Sequence, residues 1–231
     1  MKIVLAYSGG LDTSFCIAYL CEKYQSEVIA VTCDLGQKED FDKVRNRAYQ
    51  LGAVEHILLD LKDEFFERFL SMAIKANAKY EKAYPLHSSL QGYLIVEKLV
   101  KIARKKEAQA IAHGNTGLGN DQFRYDIPGR IYASDLKVIA PVREGSFTRQ
   151  AEWDYLAERG LPLPDRLPDK LYSVADNLWG CFRGHIGDAN TPDSEPPNDV
   201  FFIVNRKVKE CQKKEKEYIT IQFTEGIPNW R

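Results

Sequence analysis

Five apolar runs of six to eight residues, each closed by a polar loop, recur along the first 142 residues: "KIVLAY" (2–7), "EVIAVTCD" (27–34), "EHILLDL" (55–61), "AQAIAHG" (108–114) and "KVIAPV" (137–142). Runs of that length with no polar face read as strands buried on both sides. Helical patterns separate the first four, at 12–24, at 39–52 with a stop at Gly52, and in two segments spanning 62–106. Strand and helix in alternation predict an α/β fold, a doubly wound parallel sheet with helices on both faces. Sheets of this kind take ligands beyond the carboxyl ends of their strands, so the polar loops there are the places to read for function.

The chain's 231 residues allow one large domain, or one with an appendage. Lys and Arg number 32 against 33 Asp and Glu, so no overall field points to nucleic acid or a membrane surface. No apolar stretch approaches the roughly 20 residues of a membrane helix. Five cysteines, Cys16, Cys21, Cys33, Cys181 and Cys211, form no C-x-x-C pair, which suits reduced thiols and a cytoplasmic location. From about residue 160 the texture turns to Pro- and Gly-punctuated sequence, followed by the lysine-rich "NRKVKECQKKEKEY" (205–218), read as a solvated linker or helix face. Near the end Ile219, Ile221 and Phe223 alternate with Thr220, Gln222 and Thr224. That period predicts one half-buried strand, which must pair with something earlier in the chain or with another subunit.

The first polar loop is the most informative. In "AYSGGLDTS" (6–14) a strand runs into two glycines and then a helix. Successive glycines let backbone N–H groups converge into an anion-binding nest, and the helix start adds partial positive charge. Ser8, Thr13 and Ser14 add hydroxyls. A tight turn capped by Asp12 or Thr13 would need only one glycine and one polar residue. No lysine follows the glycines, so this is no Walker loop. A phosphate loop lacking lysine but holding Asp12 suggests that a divalent cation, Mg2+, supplies the compensating charge.

S-G-G-x-D-[ST]-S after an N-terminal strand resembles the pyrophosphate loop of the N-type ATP pyrophosphatases, which cleave ATP between the α- and β-phosphates and adenylate a substrate oxygen. Together with "GQKEDF" (36–41), "AHGNTGLGNDQFRYD" (112–126), "LKVIAPVRE" (136–144) and "YSVADNLWG" (172–180), it resembles the argininosuccinate synthase family over nearly the whole chain. The resemblance implies an adenine nucleotide α-hydrolase-like fold and an ATP-dependent carbon–nitrogen ligase that joins citrulline and aspartate, releasing AMP and pyrophosphate. It implies that Ala6, Tyr7, Ser8, Gly9, Gly10, Leu11, Asp12, Thr13, Ser14, Cys33 and Gly114 hold ATP, with Asp12 on the metal. Tyr84, Ser89, Asn120, Arg124 and Ser173 match citrulline positions, and Thr116, Asn120 and Asp121 match aspartate positions. Asp12, Asp121 and Arg124 are the residues expected to carry catalysis. A homo-oligomer acting on small molecules, with no nucleic-acid or membrane partner, is the implied assembly.

The sequence departs from the family at several of these points. Leu118 stands where the family has a lysine in T-G-K-G-N-D, Gln91-Gly92-Tyr93 replaces A-R-P, Val142 replaces a tryptophan, and Phe182 replaces a second citrulline serine. The expected division is an ATP-binding domain at 1–160 and a loop-rich extension at 161–231, the truncated start of a synthetase-like domain. A natural short paralogue, a fragment, or a chain completed by a partner would each give that ending. Two other readings compete: a tRNA-thiolating enzyme using a cysteine such as Cys33 or Cys181, and a non-catalytic ATP-binding module.

Overall fold

The computed structural model describes residues 1–164, 173–184 and 219–228. Five parallel strands form the central sheet: β1 (Lys2–Ala6), β2 (Glu27–Asp34), β3 (Glu55–Asp60), β4 (Ala110–Ala112) and β5 (Lys137–Ile139). Their spatial order is β3-β2-β1-β4-β5, with β1 central. Winding runs outward from β1 to β3, then returns across the sheet to β4 and β5. The switch point therefore lies between β1 and β4, where the loops leaving the two strands part to opposite sides.

Alternation along β1 divides the core. Ile3, Leu5 and Tyr7 join α1 (Leu11–Tyr24), α2 (Phe41–Gln50) and, through Leu156, a further helix on one face. Val4 and Ala6 join the helical stretch Lys62–Lys75 and α5 (Gln91–Lys105) on the other. The stretch 62–75 comprises α3 (Lys62–Phe65), a π-helical turn (Phe66–Leu70) and α4 (Ser71–Lys75). After β4 come α6 (Asp121–Tyr132), α7 (Pro141–Glu144) and α8 (Arg149–Glu158), the helix that contributes Leu156. Gly129 lets α6 approach Val138, Ile111 and Val96, where a Cβ would meet atoms at 3.0–4.0 Å. Every apolar residue of β1 is 9% exposed or less, so the central strand is buried on both faces as its composition requires.

Two short antiparallel hairpins follow: β6 (Ser173–Asn177) with β7 (Gly180–Gly184), and β8 (Phe223–Thr224) with β9 (Ile227–Pro228). The second corrects the strand expected at 219–224. Only Phe223 and Thr224 are extended in a ladder, and their partner follows them in sequence, across a turn in which Glu225 and Gly226 both have positive φ. Ile219, Ile221 and Phe223 are 85%, 58% and 59% exposed, so their alternation buries no face. At the other end of the predicted "KVIAPV" run, Pro141 opens α7 instead of prolonging β5, because its ring fixes φ for a first helical turn and removes a ladder donor. The lysine-rich stretch 205–218 and most of the Pro-rich stretches lie outside the described residues. Among the described residues no helix is long and apolar enough to cross a membrane.

Candidate functional site

The loop from β1 to α1 is built to leave donors open. Gly10 occupies the N-cap of α1 and, having no side chain, caps none of the first N–H groups. The cap is neither Asp12 nor Thr13, the two residues a plain capped turn would use. Ser8 and Thr13 knit the loop instead: Ser8 N donates to Thr13 Oγ1 at 3.3 Å, Gly10 N donates to Ser8 Oγ at 3.3 Å, and Thr13 Oγ1 donates to Gly10 O at 3.3 Å. Gly9 has φ +82°, and a Cβ there would fall 2.9 Å from Val44. Arg47 of α2 donates to the Gly9 carbonyl at 2.9 Å, which ties the loop to α2. Tyr7 OH and Ser14 Oγ are buried without a hydrogen-bond partner among the described residues.

Beyond β4 the second loop presses against the first. A Cβ on Gly114 would lie 3.1 Å from Thr13 Cγ2 and 3.3 Å from the Asp12 carbonyl carbon, so a glycine is what allows the two loops to touch. His113 opens this loop, Thr116 and the fully exposed tip at Leu118 lie along it, and Asn120 precedes α6. Asp121 and Arg124, one turn apart on α6, form an ion pair with each other. The cation and the anion that the sequence assigns to separate substrates thus neutralise one another in this state. Arg124 also packs where a side chain on residue 92 would go, with its Cβ 3.1 Å from that position. Gly92, which replaces an arginine of the family pattern, is thereby accounted for.

The remaining predicted positions lie on other elements. Cys33, the last residue but one of β2, is 9% exposed, and burial pushes its thiol up to about 12, which leaves it protonated at neutral pH. A thiolate nucleophile is not what this environment makes. In the 84–91 loop, Tyr84 OH and Ser88 Oγ are 2.6 Å apart, and Ser89 is buried with its hydroxyl unpartnered among the described residues. Ser173 begins β6. The turn between β6 and β7 brings that hairpin to the loop: Asn177 Nδ2 donates to His87 O at 2.8 Å and to Gln91 Oε1 at 2.9 Å, and Trp179 Nε1 donates to Pro85 O at 2.6 Å. Phe182 lies with its ring centroid 5.9 Å from that of His87.

Three features escape a reading of the sequence. Glu152 of α8, 1% exposed, lies against Asp12; burial first, then the Asp12 charge and a hydrogen bond with it, hold the Glu152 carboxyl well above the usual carboxylate range. Asp126 of α6 joins His113 to Arg143. Asn177 fastens the hairpin. A glutamate within a short helix that has no clear apolar face, an aspartate thirteen residues after a histidine and an asparagine before a turn carry no periodic or spacing signal. His113 was legible as the end of a strand, and its backbone N–H does pair with Ile139 O at 3.1 Å, but its carboxylate partner was not.

Comparisons with known proteins bear on the chain as a whole. Residues 2–162 match the family model described as the arginosuccinate synthase N-terminal HUP domain. Proteins named argininosuccinate synthase are similar along the chain: that of Pyrococcus furiosus is 46% identical over 229 residues, covering 99% of this chain and 54% of its own length. That of Pyrobaculum aerophilum is 44% identical over 228 residues, 98% of this chain and 56% of its own. That of Lactococcus lactis subsp. cremoris is 45% identical over 227 residues, with 98% and 56% covered. The chain spans about half the length of the curated relatives it matches.

Proposed function

The chain belongs to the argininosuccinate synthase family, and on that premise we propose that it carries the nucleotide-binding half of an ATP-dependent carbon–nitrogen ligase. The reaction begins when a ureido oxygen, that of citrulline or a related compound, attacks the α-phosphorus; the bond to the β-phosphate breaks and pyrophosphate leaves. The amine of aspartate or a similar amino acid then attacks the activated carbon, and AMP departs with the oxygen. The single observation that carries this reading is the uncapped start of α1, ringed by Ser8 and Thr13 hydroxyls, at the switch point of the sheet. Residues 1–160 form the ATP-binding unit in this proposal, and 161–231 open a synthetase-like extension.

Ala6 to Ser14 hold the triphosphate, the open N–H groups and hydroxyls donating to the pyrophosphate that leaves. Such donors act where negative charge accumulates, so they favour departure over the ground state. Cys33 and Gly114 stand at the nucleotide by virtue of lying at the ends of β2 and β4. Asn120, Asp121 and Arg124, with Thr116, orient the amine and carboxylate groups; when substrate arrives, the Asp121–Arg124 pair opens and each member takes a ligand charge of opposite sign. Tyr84, Ser89 and Ser173 complete the acceptor side.

The donor set suits Mg2+. Asp12 offers a hard carboxylate oxygen beside the phosphate loop, and among the described residues no group of three His, Cys, Asp or Glu converges. One protein carboxylate with phosphate oxygens and water is the usual way this ion is held. When bound it neutralises charge on the departing pyrophosphate. A cytoplasmic homo-oligomer working on small molecules belongs to the same proposal.

Pyrophosphate release from ATP tests it, measured with citrulline plus aspartate and then with a panel of ureido, amide and carboxylate compounds. Release dependent on one ureido or amide compound is the expected result; absence of ATP binding by calorimetry with magnesium present would defeat the proposal. Asp12→Ala is expected to abolish turnover with the circular dichroism spectrum unchanged, and wild-type turnover in that variant would remove the metal role.

A further inference from the structure

The second loop is held by one buried carboxylate that the nucleotide-binding reading does not use. His113, 2% exposed, accepts the Asn115 backbone N–H on Nδ1 at 3.2 Å. Its proton therefore sits on Nε2, which donates to Asp126 Oδ1 at 2.9 Å. The other oxygen, Oδ2, accepts from Arg143 Nη1 of α7 at 2.8 Å. That same guanidinium nitrogen reaches Gln122 Oε1 at 3.4 Å, and Gln122 Nε2 donates to the carbonyls of Gly117 at 2.9 Å and Gly119 at 3.0 Å.

These bonds make a frame around the loop. Its first residue is tied by His113, its middle by Gln122, and both ties converge on Asp126 and Arg143 from α6 and α7. Burial alone would raise the Asp126 carboxyl, yet the hydrogen bonds from His113 and Arg143 outweigh it and pull it down to about 2, so both oxygens are held as acceptors at neutral pH. The loop so framed is the one that meets the phosphate loop through Gly114 and carries Thr116, Asn120 and Asp121.

We propose that Asp126 is a positioning residue: by bridging His113 and Arg143 it fixes the register of the 113–120 loop against the phosphate loop, and so sets where the amine-bearing substrate stands relative to the activated carbon. The proposal rests on the function given above for its choice of substrate. Asp126 lies outside residues 6–14, which hold the triphosphate, and of the loop it frames only Gly114 meets them, so ATP affinity leans on it far less than the placement of the amine does. Catalysis depends steeply on such placement, with a displacement of about 1 Å costing up to about a hundredfold in rate.

The test uses the full chain and the near-isosteric Asp126→Asn, which keeps volume but turns one acceptor into a donor facing the His113 and Arg143 N–H groups. Three quantities are read: the ATP dissociation constant by calorimetry, KM and kcat for aspartate at saturating ATP and citrulline, and amide hydrogen exchange across 114–120. The expected result is an ATP affinity within about twofold of wild type, kcat/KM for aspartate lowered about ten- to a hundredfold, and faster exchange confined to the loop. Asp126→Glu, restoring the charge, is expected to recover part of the loss. Equal loss of ATP affinity and aspartate kcat/KM, or no change in either, overturns the proposal. Arg143→Lys, which keeps the charge but offers a single point donor, is expected to show the same division at smaller amplitude, and serves where Asp126→Asn does not fold. If wild-type protein binds ATP but turns over none of the amino acids, the ligase reading fails by itself. The loop exchange in Asp126→Asn then still decides the positioning role: unchanged exchange overturns it.

Discussion

At the scale of single residues the site depends on what side chains are missing. Gly114 is a point of contact between two loops, and adding one methyl places carbon 3.1 Å from Thr13 and 3.3 Å from the backbone of Asp12. The backbone of the phosphate loop cannot yield without disturbing its convergent donors. Gly114→Ala is therefore expected to weaken ATP binding by about tenfold or more, the loss of a single charge-assisted hydrogen bond being about 1.5–3 kcal/mol. Calorimetry checks this, and a melting temperature within a few degrees of wild type shows that the fold survives. Gly10 was readable from the sequence as part of a phosphate loop, because paired glycines between a strand and a helix leave few other uses. Gly92 was readable only as a lost arginine; the reason no side chain stands there, the close passage of Arg124, belongs to the contact between α5 and α6 and leaves no local trace.

At the scale of elements, the five strands and α1, α2 and α5 were legible because each buries an apolar pattern, whereas α6, interrupted by Pro128 and Gly129, and α8 show no such pattern and were not read as helices. Errors fell where a pattern has no surface to bury it. The alternating 219–224 segment looks like a half-buried strand, yet Ile219 and Ile221 stay exposed and pairing is set by the two-residue turn at Glu225-Gly226. Pro141 ended a strand that composition alone would have continued. The β6–β7 hairpin acts on the 84–91 loop chiefly through Asn177, whose side-chain N–H groups are both donated and whose Oδ1 accepts Trp179 N at 2.8 Å. Asn177→Ala leaves the His87 carbonyl and the Gln91 amide without those donors. A cost of about 1–3 kcal/mol is expected, visible as a lowered denaturant midpoint. Faster amide exchange in 84–91 should accompany it, with exchange at β1 unchanged, and uniform acceleration across the sheet would show that the hairpin does not act locally.

At the scale of the whole molecule, two carboxyls set opposite pH responses. Asp126 is held down to about 2, below an ordinary aspartate, so the stability it contributes is present above about pH 4 and drains away as pH falls toward 2. Glu152 is held up, so its contribution is complete below the usual glutamate range and is lost as pH rises through neutrality. Glu152→Gln, neutral and of equal size, removes the second effect. It is expected to raise the melting temperature at pH 8, by about 2–4 °C for each kcal/mol recovered in a protein of this size, with little change at pH 4; an equal rise at both values would exclude titration of Glu152 as the cause. The strand order was not legible: the same five runs suit several windings, and the return from β3 across β1 to β4 is decided by which helices cover which face.

The tip of the β6–β7 hairpin has a consequence in time. Leu178 occupies the space that a Cβ on Gly36 would need, 2.6 Å from that position, and its N–H donates to Leu35 O at 2.8 Å. Gly36 lies in the loop that leaves β2, while Leu178 is made more than a hundred residues later, after every strand of the sheet. During synthesis the sheet and its phosphate loop can therefore close first, with the carbonyls of Leu35, Pro85 and His87 still facing water. The loop leaving β2 and the segment 85–91 are tied to one hairpin only when the ribosome has released residues 177–179.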